Sequence, residues 1–385
     1  MSGRFSGYGR RVIIWAEGVV TAIRAEWVGA VEVLARRDDG TDCRALTYTD
    51  LMAAPHVGDR LLLNVAALER GLGTGGYALV IAVLDPDGHV HRQPPSPRGH
   101  LVKARYLPLQ AMVAGADEQG SEFHDRLAGA DSIDQLPVVV ADLHSALPPI
   151  VAAIQHDRPG TRVVYVMSDH GALPIAFSRN VAQMREAGTL AATVTAGQAF
   201  GGDLEAVNVH SGLLAARIAL DADVVVLTQG PGNLGTGTRW GFSGVACGEA
   251  INAAAVLGGR PVGSLRISGV DTRPRHRGLS HHSLTAYGRV ALCPADLAVP
   301  DFSRLAALTG IAGLDQLSTM AAELGQSVRT LSHHRLITVD LAGLDDALRT
   351  SPVRLSSMGR SLDEDPAYFL AAAASGRLVA SLINS

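Results

Sequence analysis

The 385-residue sequence has few cysteines, few aromatic residues and almost no lysine. Its three cysteines are scattered and form neither a disulfide framework nor a zinc-binding knuckle. Aromatic residues make up only 4% of the chain, which disfavours a surface on which nucleic-acid bases stack. Lys103 is the only lysine, so Schiff-base or pyridoxal-phosphate chemistry would depend on one side chain. We do not expect such chemistry.

Neither a long apolar run nor the apolar core of a signal peptide occurs in the sequence. A membrane span and an export signal are therefore not expected. The formal net charge of -4 at pH 7 gives the chain no bulk attraction to nucleic acid or to an anionic membrane. We expect a cytoplasmic protein without a membrane partner, and the composition disfavours a nucleic-acid partner. No residue pattern identifies a cofactor.

The common nucleophile and phosphate-loop motifs are also missing. No Gly-x-Ser-x-Gly occurs, and Ser243 stands in a sequence that fits only part of that pattern. A Walker loop is excluded because no Lys-Ser or Lys-Thr follows the glycine-rich stretch near residue 230. Cys247 falls in a predicted helix, where packing is the expected role of a small thiol. A serine or cysteine hydrolase is therefore disfavoured.

The pattern of elements predicts an α/β protein with two folded parts. Residues 1–85 contain short apolar or alternating runs and an Asp-Gly turn, which predict a small β-barrel of OB or SH3-like type. Residues 86–135 are predicted to be a linker and packing segment, with several prolines at 93–99. Residues 136–385 alternate strands and helices, which predicts an open, mostly parallel α/β sheet domain.

The stretch from 222 to 261 predicts a buried strand, a glycine-rich loop and an alanine-rich helix. The proposed ligand-binding residues of this loop are Gly230, Gly232, Gly235, Gly237 and Thr238. Backbone N–H groups beside a helix N-terminus favour an anion. Residues 230–235 also fit the dinucleotide fingerprint, but that fingerprint needs an acidic residue at the end of the next strand about 20 positions on, and here the first one past the next predicted strand is Asp271. A dinucleotide, another anion and a tight structural turn remain the alternatives for this loop.

Asp and His follow two predicted strands in a partial internal repeat. The repeat gives four catalytic candidates: Asp142, His144, Asp169 and His170. A looser third copy contains Asp203 and His210, the candidates for a metal site, although the spacing matches no compact metal motif. The carboxyl ends of parallel strands share one edge, so these side chains could meet there. Helix caps or turn residues are the alternative roles.

The densest polar stretch, residues 266–283, is basic and rich in histidine. Arg266, Arg273 and Arg277 are candidates for binding phosphate or carboxylate, because guanidinium groups match these anions. His281 and His282 are candidates for proton transfer. The alternative is a solvated basic loop. We predict one cleft lined by the glycine-rich loop and at least two of the five histidines named as candidates.

Three motifs resemble a family of bacterial proteins classed only as a domain of unknown function. They are Phe-Gly-Gly-Asp-Leu-Glu-Ala-Val-Asn-Val-His-Ser-Gly-Leu at 200–213, Gln-Gly-Pro-Gly-Asn-Leu-Gly-Thr-Gly-Thr at 229–238 and Arg-Gly-Leu-Ser-His-His-Ser-Leu at 277–284. The resemblance extends over most of the chain. It implies an intracellular bacterial protein and nothing about the reaction or the catalytic residues.

Two functional hypotheses follow. The first is an enzyme that acts on a small anionic metabolite, phosphorylated or carboxylated, in a cleft at the carboxyl edge of the parallel sheet. The second is a non-catalytic protein that senses a ligand in the same cleft or assembles into a homo-oligomer. Histidines that converge with the arginines would favour the enzyme, whereas scattered histidines would favour the sensor.

Overall fold

The computed structural model describes residues 13–72, 75–85, 87–91, 99–303 and 323–383. The chain divides into two compact units, residues 1–96 and 97–385. Most of the proline-rich stretch at 93–99 and most of the helical region expected at 302–324 lie outside the described residues. No helix in the described part of the chain combines the length and the apolar character that crossing a membrane requires.

The first unit is a closed five-stranded β-barrel, which confirms the prediction. Its strands and its short helix are β1 (Trp15–Trp27), β2 (Ala30–Arg37), β3 (Asp42–Tyr48), β4 (Arg60–Asn64), α1 (Ala66–Glu69) and β5 (Ala78–Leu84). The strands pair in the order β1-β2-β3-β5-β4, with β4 closing onto β1. All pairs are antiparallel except β3 with β5. This order is that of an OB-type Greek-key barrel.

Alternating side chains explain why these residues form a barrel. Along β4, Leu61 and Leu63 are fully buried while their neighbours are partly exposed. They pack with residues such as Val33 and Val80 in a core of their own. The predicted Asp-Gly turn joins β2 to β3, and Gly40 adopts the left-handed conformation there with φ 84°.

The second unit contains the remaining strands and helices. Its strands are β6 (Leu101–Lys103), β7 (Ala111–Val113), β8 (Pro137–Ala141), β9 (Val163–Ser168), β10 (Ala192–Ala196), β11 (Leu204–Ala206), β12 (Val224–Gln229), β13 (Arg260–Ser264), β14 (Ile267–Ser268), β15 (Gly278–Leu279), β16 (Asp296–Pro300), β17 (Arg335–Val339), β18 (Ser356–Ser357) and β19 (Arg360–Ser361). Its described helices are α2 (His124–Leu127), α3 (Leu147–Asp157), α4 (Arg179–Glu186), α5 (Val209–Ile218), α6 (Ala246–Val256), α7 (His281–Thr285), α8 (Leu344–Arg349) and α9 (Pro366–Leu382).

Eight strands of this unit form one parallel sheet in the order β11-β10-β9-β12-β8-β13-β16-β17. Every pair in it is parallel, which confirms the predicted α/β class. The valine runs of β8 and β12 are buried on both faces, as expected for a central parallel strand. Strand β12 lies between β8 and β9, so the carboxyl ends of the two repeat strands flank the start of the glycine-rich loop.

The last helix, α9, is almost entirely buried and packs against α3. The sequence predicts a last helix over these same residues, with acidic residues ahead of its start. Gly376 allows the close approach of the two helices, because a Cβ atom there would lie 2.3 Å from the Ile150 carbonyl oxygen. The helix therefore belongs to the core of the second unit.

The only lysine, Lys103, has a structural role in the second unit. Its Nζ atom donates to the carbonyl oxygens of Gly197 and Ala206, at 2.8 and 3.1 Å. It also lies 3.2 Å from the buried carboxylate of Glu205. Burial lowers the pKa of Lys103, but the amine is enclosed by these partners and 1% exposed.

Candidate functional site

Two pockets lie beside the segments that sequence analysis singled out. The strand-end pocket, of about 220 Å³, is lined by residues that include Asp142, Ser168, His170, His210, Gln229 and Cys247. The arginine pocket, of about 680 Å³, is lined by residues that include Gly237, Arg239, Arg275, His281, Thr285 and Arg289. The predicted single cleft is thus divided, because His170 and His210 line the first pocket and His281 shares the second with the glycine-rich loop.

In the strand-end pocket, polar side chains bond to one another. The Gln229 amide nitrogen donates to the main-chain oxygen of Asp142 at 2.6 Å and to the side-chain oxygen of Asn233 at 2.9 Å. The Ser243 hydroxyl donates to the Gln229 side-chain oxygen at 2.7 Å. Asn233 also accepts from the main-chain N–H of Gly244. This network ties the glycine-rich loop to the ends of β8 and β12.

Cys247 lines the same pocket. The thiol is buried, and burial together with the charge of Asp142 holds its pKa well above the usual value. A protonated thiol at neutral pH is a poor nucleophile. Its neighbours in α6, Ala250 and Ile251, belong to the hydrophobic core, so Cys247 packs as the sequence indicates.

In the Asp–His pair that follows β9, Asp169 and His170 have different surroundings. The Asp169 carboxylate accepts from the main-chain N–H of Gln198 at 2.8 Å. It also packs on Gly197, where a Cβ atom would lie only 2.3 Å from the carboxylate. His170 contacts the Ser168 hydroxyl at 3.2 Å and faces the strand-end pocket. Asp169 thus supports a loop, and His170 is the member of the pair that lines a cavity.

His144 is bonded on both sides of its ring and takes no part in lining either pocket. Its Nδ1 atom lies 3.0 Å from the Tyr165 hydroxyl, and its Nε2 atom lies 2.7 Å from the Ser178 hydroxyl. Burial lowers the pKa of His144 to about 4, so the ring is neutral at physiological pH. These contacts give His144 a structural role.

The two metal candidates are placed in different settings. Asp203 accepts from the main-chain N–H and the hydroxyl of Thr193, at 2.8 and 3.0 Å, and pairs with Arg185. His210 is exposed and lines the strand-end pocket. Among the described residues, the one group of His, Cys, Asp or Glu with metal-ligand spacing contains neither of them. The structure thus does not bring Asp203 and His210 into a common ligand set.

Steric and conformational needs account for most of the glycines in the loop. A Cβ atom at Gly230 would lie 2.4 Å from the Ala172 carbonyl oxygen, and Gly232 and Gly237 have φ values of 88° and 80°. Gly235 has neither constraint. Thr238 accepts from the main-chain N–H of Gly241 at 3.1 Å and thereby braces the loop. The turn interpretation therefore explains part of the motif.

The backbone N–H groups of the loop are divided between internal bonds and solvent. Those of Gly230, Leu234 and Thr236 donate to Ser168, Ser243 and Gly241 respectively. Those of Gly232, Gly235 and Gly237 make no hydrogen bond to any residue that the structure describes. The loop is largely exposed, so backbone groups alone do not define a ligand site there.

The three arginines proposed as anion ligands differ in availability. Arg266 is 6% exposed and its guanidinium contacts His282 and Asp142. Arg273 forms a two-bond ion pair with Asp271. Arg277 is exposed but is not among the residues that line the arginine pocket. Arg266 and Arg273 are therefore used within the protein, the first to hold a histidine and the second to hold a loop.

Three other arginines surround the second pocket, and the sequence interpretation missed them: Arg239, Arg275 and Arg289. None of them forms a hydrogen bond or an ion pair with the described residues. None of the described residues that line the pocket is an aspartate or a glutamate. The Arg275 guanidinium packs over Gly237, where its nearest nitrogen would lie 3.5 Å from an added Cβ atom. Only Arg275 could have been found from the sequence, because it lies between Arg273 and Arg277, the two neighbouring arginines that were chosen as candidates.

A histidine cluster adjoins the arginine pocket. It consists of His276, His281 and His282, whose ring centroids lie 4.6 to 4.9 Å apart. His281 lines the pocket. Burial, and then neighbouring histidine and arginine charges, lower the pKa of His281 to about 4; burial and Arg266 lower that of His276 to about 3. Both rings are neutral at physiological pH.

Asp142 connects the histidine cluster to the strand-end pocket. Its carboxylate lies 3.1 Å from His282 Nδ1 and 3.5 Å from the Arg266 guanidinium. Burial alone would raise the pKa of Asp142, but the His282 bond and the charge of Arg266 outweigh it and lower that pKa. Phe242, at the end of the glycine-rich loop, stacks on His282 with centroids 3.7 Å apart and an interplanar angle of 7°. The His282 ring is therefore fixed on several sides.

Local sequence explains how these side chains reach one place. The Ser280 hydroxyl caps α7 by accepting from the main-chain N–H of His282 at 3.2 Å, so both adjacent histidines start the helix. The helix continues into a π-helical turn, Ala286–Val290, which carries Arg289 to the pocket. Asp365 anchors the preceding segment by accepting from Ser268 and Gly269.

A family model with the description Protein of unknown function (DUF3866) matches residues 44–376 of the chain. The match confirms the resemblance to a domain of unknown function that the three motifs indicated. No curated protein and no solved structure matches the chain significantly. Because the family description names no activity, a functional assignment depends on the geometry of the two pockets.

Proposed function

We propose that this chain, which belongs to the family described as Protein of unknown function (DUF3866), is an enzyme that acts on a small anionic metabolite. The metabolite carries a phosphate or carboxylate group that binds in the arginine pocket. The observation that carries the proposal is the convergence of Arg239, Arg275 and Arg289 on one cavity together with the imidazole of His281.

The charges around the pocket favour an anion. Many arginines elsewhere in the described chain pair with a carboxylate, as Arg273 pairs with Asp271 and Arg377 with Asp157. The three pocket arginines have no such partner among the residues described. Guanidinium groups bind phosphate and carboxylate through paired N–H groups, and like charges on a concave surface raise the local concentration of anions. An anionic ligand would also relieve the repulsion between the three.

Catalysis is favoured over simple binding because a histidine faces the same cavity. His281 is neutral at physiological pH, so its ring can accept or donate a proton at the bound molecule. Arg275, one of the charges that lower its pKa, would be neutralised by a bound anion. The pKa of His281 would then rise towards the range useful for proton transfer. His282 and the carboxylate of Asp142 lie behind it as positioning residues.

The alternative is a protein that senses an anion without changing it, or that assembles into an oligomer around it. The same three arginines would bind the ligand, and the histidines would serve only to build the wall of the pocket. The two functions differ in one measurable respect. A sensor loses nothing but affinity when a pocket residue is replaced, whereas an enzyme loses turnover when His281 is replaced.

Binding is tested by thermal-shift titration of the full chain with panels of phosphorylated and carboxylated metabolites. We expect at least one of them to raise the melting temperature of the wild type. Arg275→Gln and Arg289→Gln should each weaken binding by about 10- to 100-fold, the loss of one charge-assisted contact. Arg277→Gln is the matched control, because Arg277 lies in the same run but outside the named pocket residues. Equal losses in all three variants would contradict the proposed site.

Turnover is tested with whichever metabolite binds, by following its conversion with mass spectrometry or NMR. His281→Gln should lower kcat by about 100-fold or more while affinity changes little. His170→Gln, in the strand-end pocket, is the control and should keep full activity. Binding without conversion by the wild type would support the sensing alternative instead.

A further inference from the structure

We propose that His276, His281 and His282 form a binding site for a divalent transition-metal ion, with zinc the best-matched ion. One ring nitrogen from each residue lies within 4.8 Å of the other two. The inference does not rest on the proposed function, because the metal is tested without any metabolite. In the metal-bound protein His281 would be a ligand in place of the proton-transfer role proposed above.

The geometry requires only small side-chain movements. Zinc–imidazole bonds are about 2.0–2.1 Å long, so a tetrahedral ion needs ligand nitrogens about 3.4 Å apart. The observed separations, which are within 4.8 Å, would shorten by up to about 1.4 Å through χ rotations. Three imidazoles and an open fourth position form a ligand set that zinc and its neighbours in the first transition row prefer.

Outer hydrogen bonds already orient two of the three rings. His276 Nδ1 hydrogen-bonds to the Ser280 hydroxyl at 2.8 Å, and His282 Nδ1 lies 3.1 Å from the Asp142 carboxylate. A carboxylate beside the far nitrogen is the usual partner of a metal-binding histidine. Arg266 also lies 2.9 Å from His282 Nδ1 and can only donate, so Nδ1 either accepts from Arg266 or carries a proton and donates to Asp142. Metal binding would select the second tautomer. That tautomer leaves the lone pair on Nε2.

The third ring, that of His281, has a buried nitrogen without a partner in the described part of the chain, and this nitrogen is the strongest indication of a ligand. His281 Nε2 is buried and has no hydrogen-bond partner among the residues described. An unpaired buried nitrogen costs free energy that a bond to a metal ion would recover. His281 also lines the arginine pocket, so the proposed metal site adjoins the wall of that pocket.

The positive charges nearby set the expected behaviour of the site. The positive charges of Arg266 and Arg275 lower the pKa of His281, and the same two charges would repel a bound cation. Asp142 is the carboxylate in direct contact with the cluster, and its charge is shared with Arg266. We therefore expect micromolar rather than picomolar affinity, and one ion for each chain.

The experiment uses tag-free full-length protein that has been treated with a chelator and titrated with Zn²⁺ and Co²⁺. Binding is measured by competition with a chromophoric chelator and by the visible d–d absorption of Co²⁺. The wild type should bind one ion. His281→Gln and His276→Gln should each lower affinity by more than about 100-fold, since even outer-shell changes lower it 10- to 100-fold. His210→Gln is the matched control, since His210 is exposed and outside the cluster.

A second variant keeps the test decisive if a glutamine variant does not fold. His281→Cys should still bind Co²⁺ and should add a sulfur-to-cobalt charge-transfer band in the near ultraviolet, which only direct ligation produces. The proposal is overturned if the wild type binds no ion at 1 mM metal, on the order of a thousand times the expected dissociation constant. It is equally overturned if His210→Gln lowers affinity as much as His281→Gln, or if His281→Cys binds Co²⁺ without the new band.

Discussion

The strand-end pocket and the arginine pocket contain similar residue types, but their polar groups are used differently. Around the first, Gln229, Ser243 and Asn233 bond to one another and to the ends of two strands. Around the second, three guanidinium groups and one imidazole nitrogen have no partner among the described residues. Polar groups that satisfy each other fix a structure, whereas convergent unsatisfied ones indicate a ligand.

Two histidines show why this distinction matters more than titration behaviour. Burial brings the pKa of His144 and that of His281 to about 4. Both ring nitrogens of His144 are nevertheless bonded inside the protein, while His281 Nε2 is not. The pKa shift therefore has the same direction in both residues, and only the unpaired nitrogen separates a functional candidate from a structural residue.

The largest effect should come from Asp142, which belongs to both regions. Its main-chain oxygen accepts from Gln229, and its carboxylate faces His282 and the buried Arg266. Asp142→Ala keeps the main-chain bond but leaves the Arg266 charge buried without a carboxylate. We expect the free energy of unfolding, measured in urea, to fall by about 3–5 kcal/mol.

The double variant Asp142→Ala/Arg266→Met identifies the cause. Removing the buried charge as well should restore at least half of the loss, because an apolar pair of similar volume is tolerated where one unpaired charge is not. If the double variant is as unstable as the single one, the loss comes from the His282 contact or from packing. The carboxylate would then not be needed to balance Arg266.

The second prediction concerns the acid sensitivity of His144. The unfolded chain takes up a proton on this residue below pH 6.5, but the folded chain does so only near pH 4. Its contribution to stability is therefore constant above pH 6.5 and falls as the pH drops towards 4, by about 3 kcal/mol in total. We expect wild-type protein to lose that much more stability over this window than His144→Gln.

Urea unfolding at a series of pH values measures the difference directly. The wild-type and His144→Gln curves should converge as the pH falls, because only the wild type has an imidazole there to protonate on unfolding. Other buried histidines, such as His276, act equally in both proteins and cancel. Parallel curves between pH 6.5 and 4 would show that His144 can be protonated in the folded state.

Much of the fold could be predicted because it follows from local patterns. Alternating and continuous apolar runs predicted the barrel and the parallel sheet. Strand β11 was missed because its three residues, Leu204–Ala206, are too short to give a period. The Asp–His repeat predicted one shared edge correctly but not that β12 separates the two strands.

The site was harder to predict because it depends on pairing rather than on residue type. Three arginines look equivalent in the sequence: Arg266, Arg273 and Arg275. In the structure Arg266 contacts Asp142 and Arg273 pairs with Asp271, whereas Arg275 has no carboxylate partner among the described residues. His276 was passed over, although it lies five residues before His281, because no short motif contains that spacing. Contacts between α7, the glycine-rich loop and β8 decide these roles, and they join residues more than 100 positions apart.

The third prediction couples the two proposed ligands of the arginine region. An anion held beside His281 would offset the positive field that opposes a cation there. Sulfate should therefore tighten Co²⁺ binding by about tenfold, in the lower part of the usual range for coupled sites. The measurement is a Co²⁺ titration in sulfate and in chloride at equal ionic strength.

Arg275→Gln is the control for this coupling. The variant should bind Co²⁺ at least as well as the wild type in chloride, since one opposing charge is gone, and should respond less to sulfate. An identical response to sulfate in both proteins would mean that the anion binds elsewhere or acts on the metal in solution. The metal site and the anion site would then be independent.

The smallest effect concerns the glycine-rich loop and decides how much of it is only a turn. Gly232 has φ 88°, where an alanine is strained, whereas at Gly235 the nearest atoms to an added Cβ lie 3.8 Å away. Gly232→Ala should lower the free energy of unfolding by about 1 kcal/mol, and Gly235→Ala should leave it unchanged or raise it slightly. Urea unfolding measures both free energies, and anion titration follows on each variant.

If the arginines alone bind the anion, Gly235→Ala keeps the affinity of the wild type. If Gly235→Ala loses affinity while remaining stable, the backbone N–H groups of the loop contribute to the site, and the contrast between a structural loop and a binding pocket no longer holds.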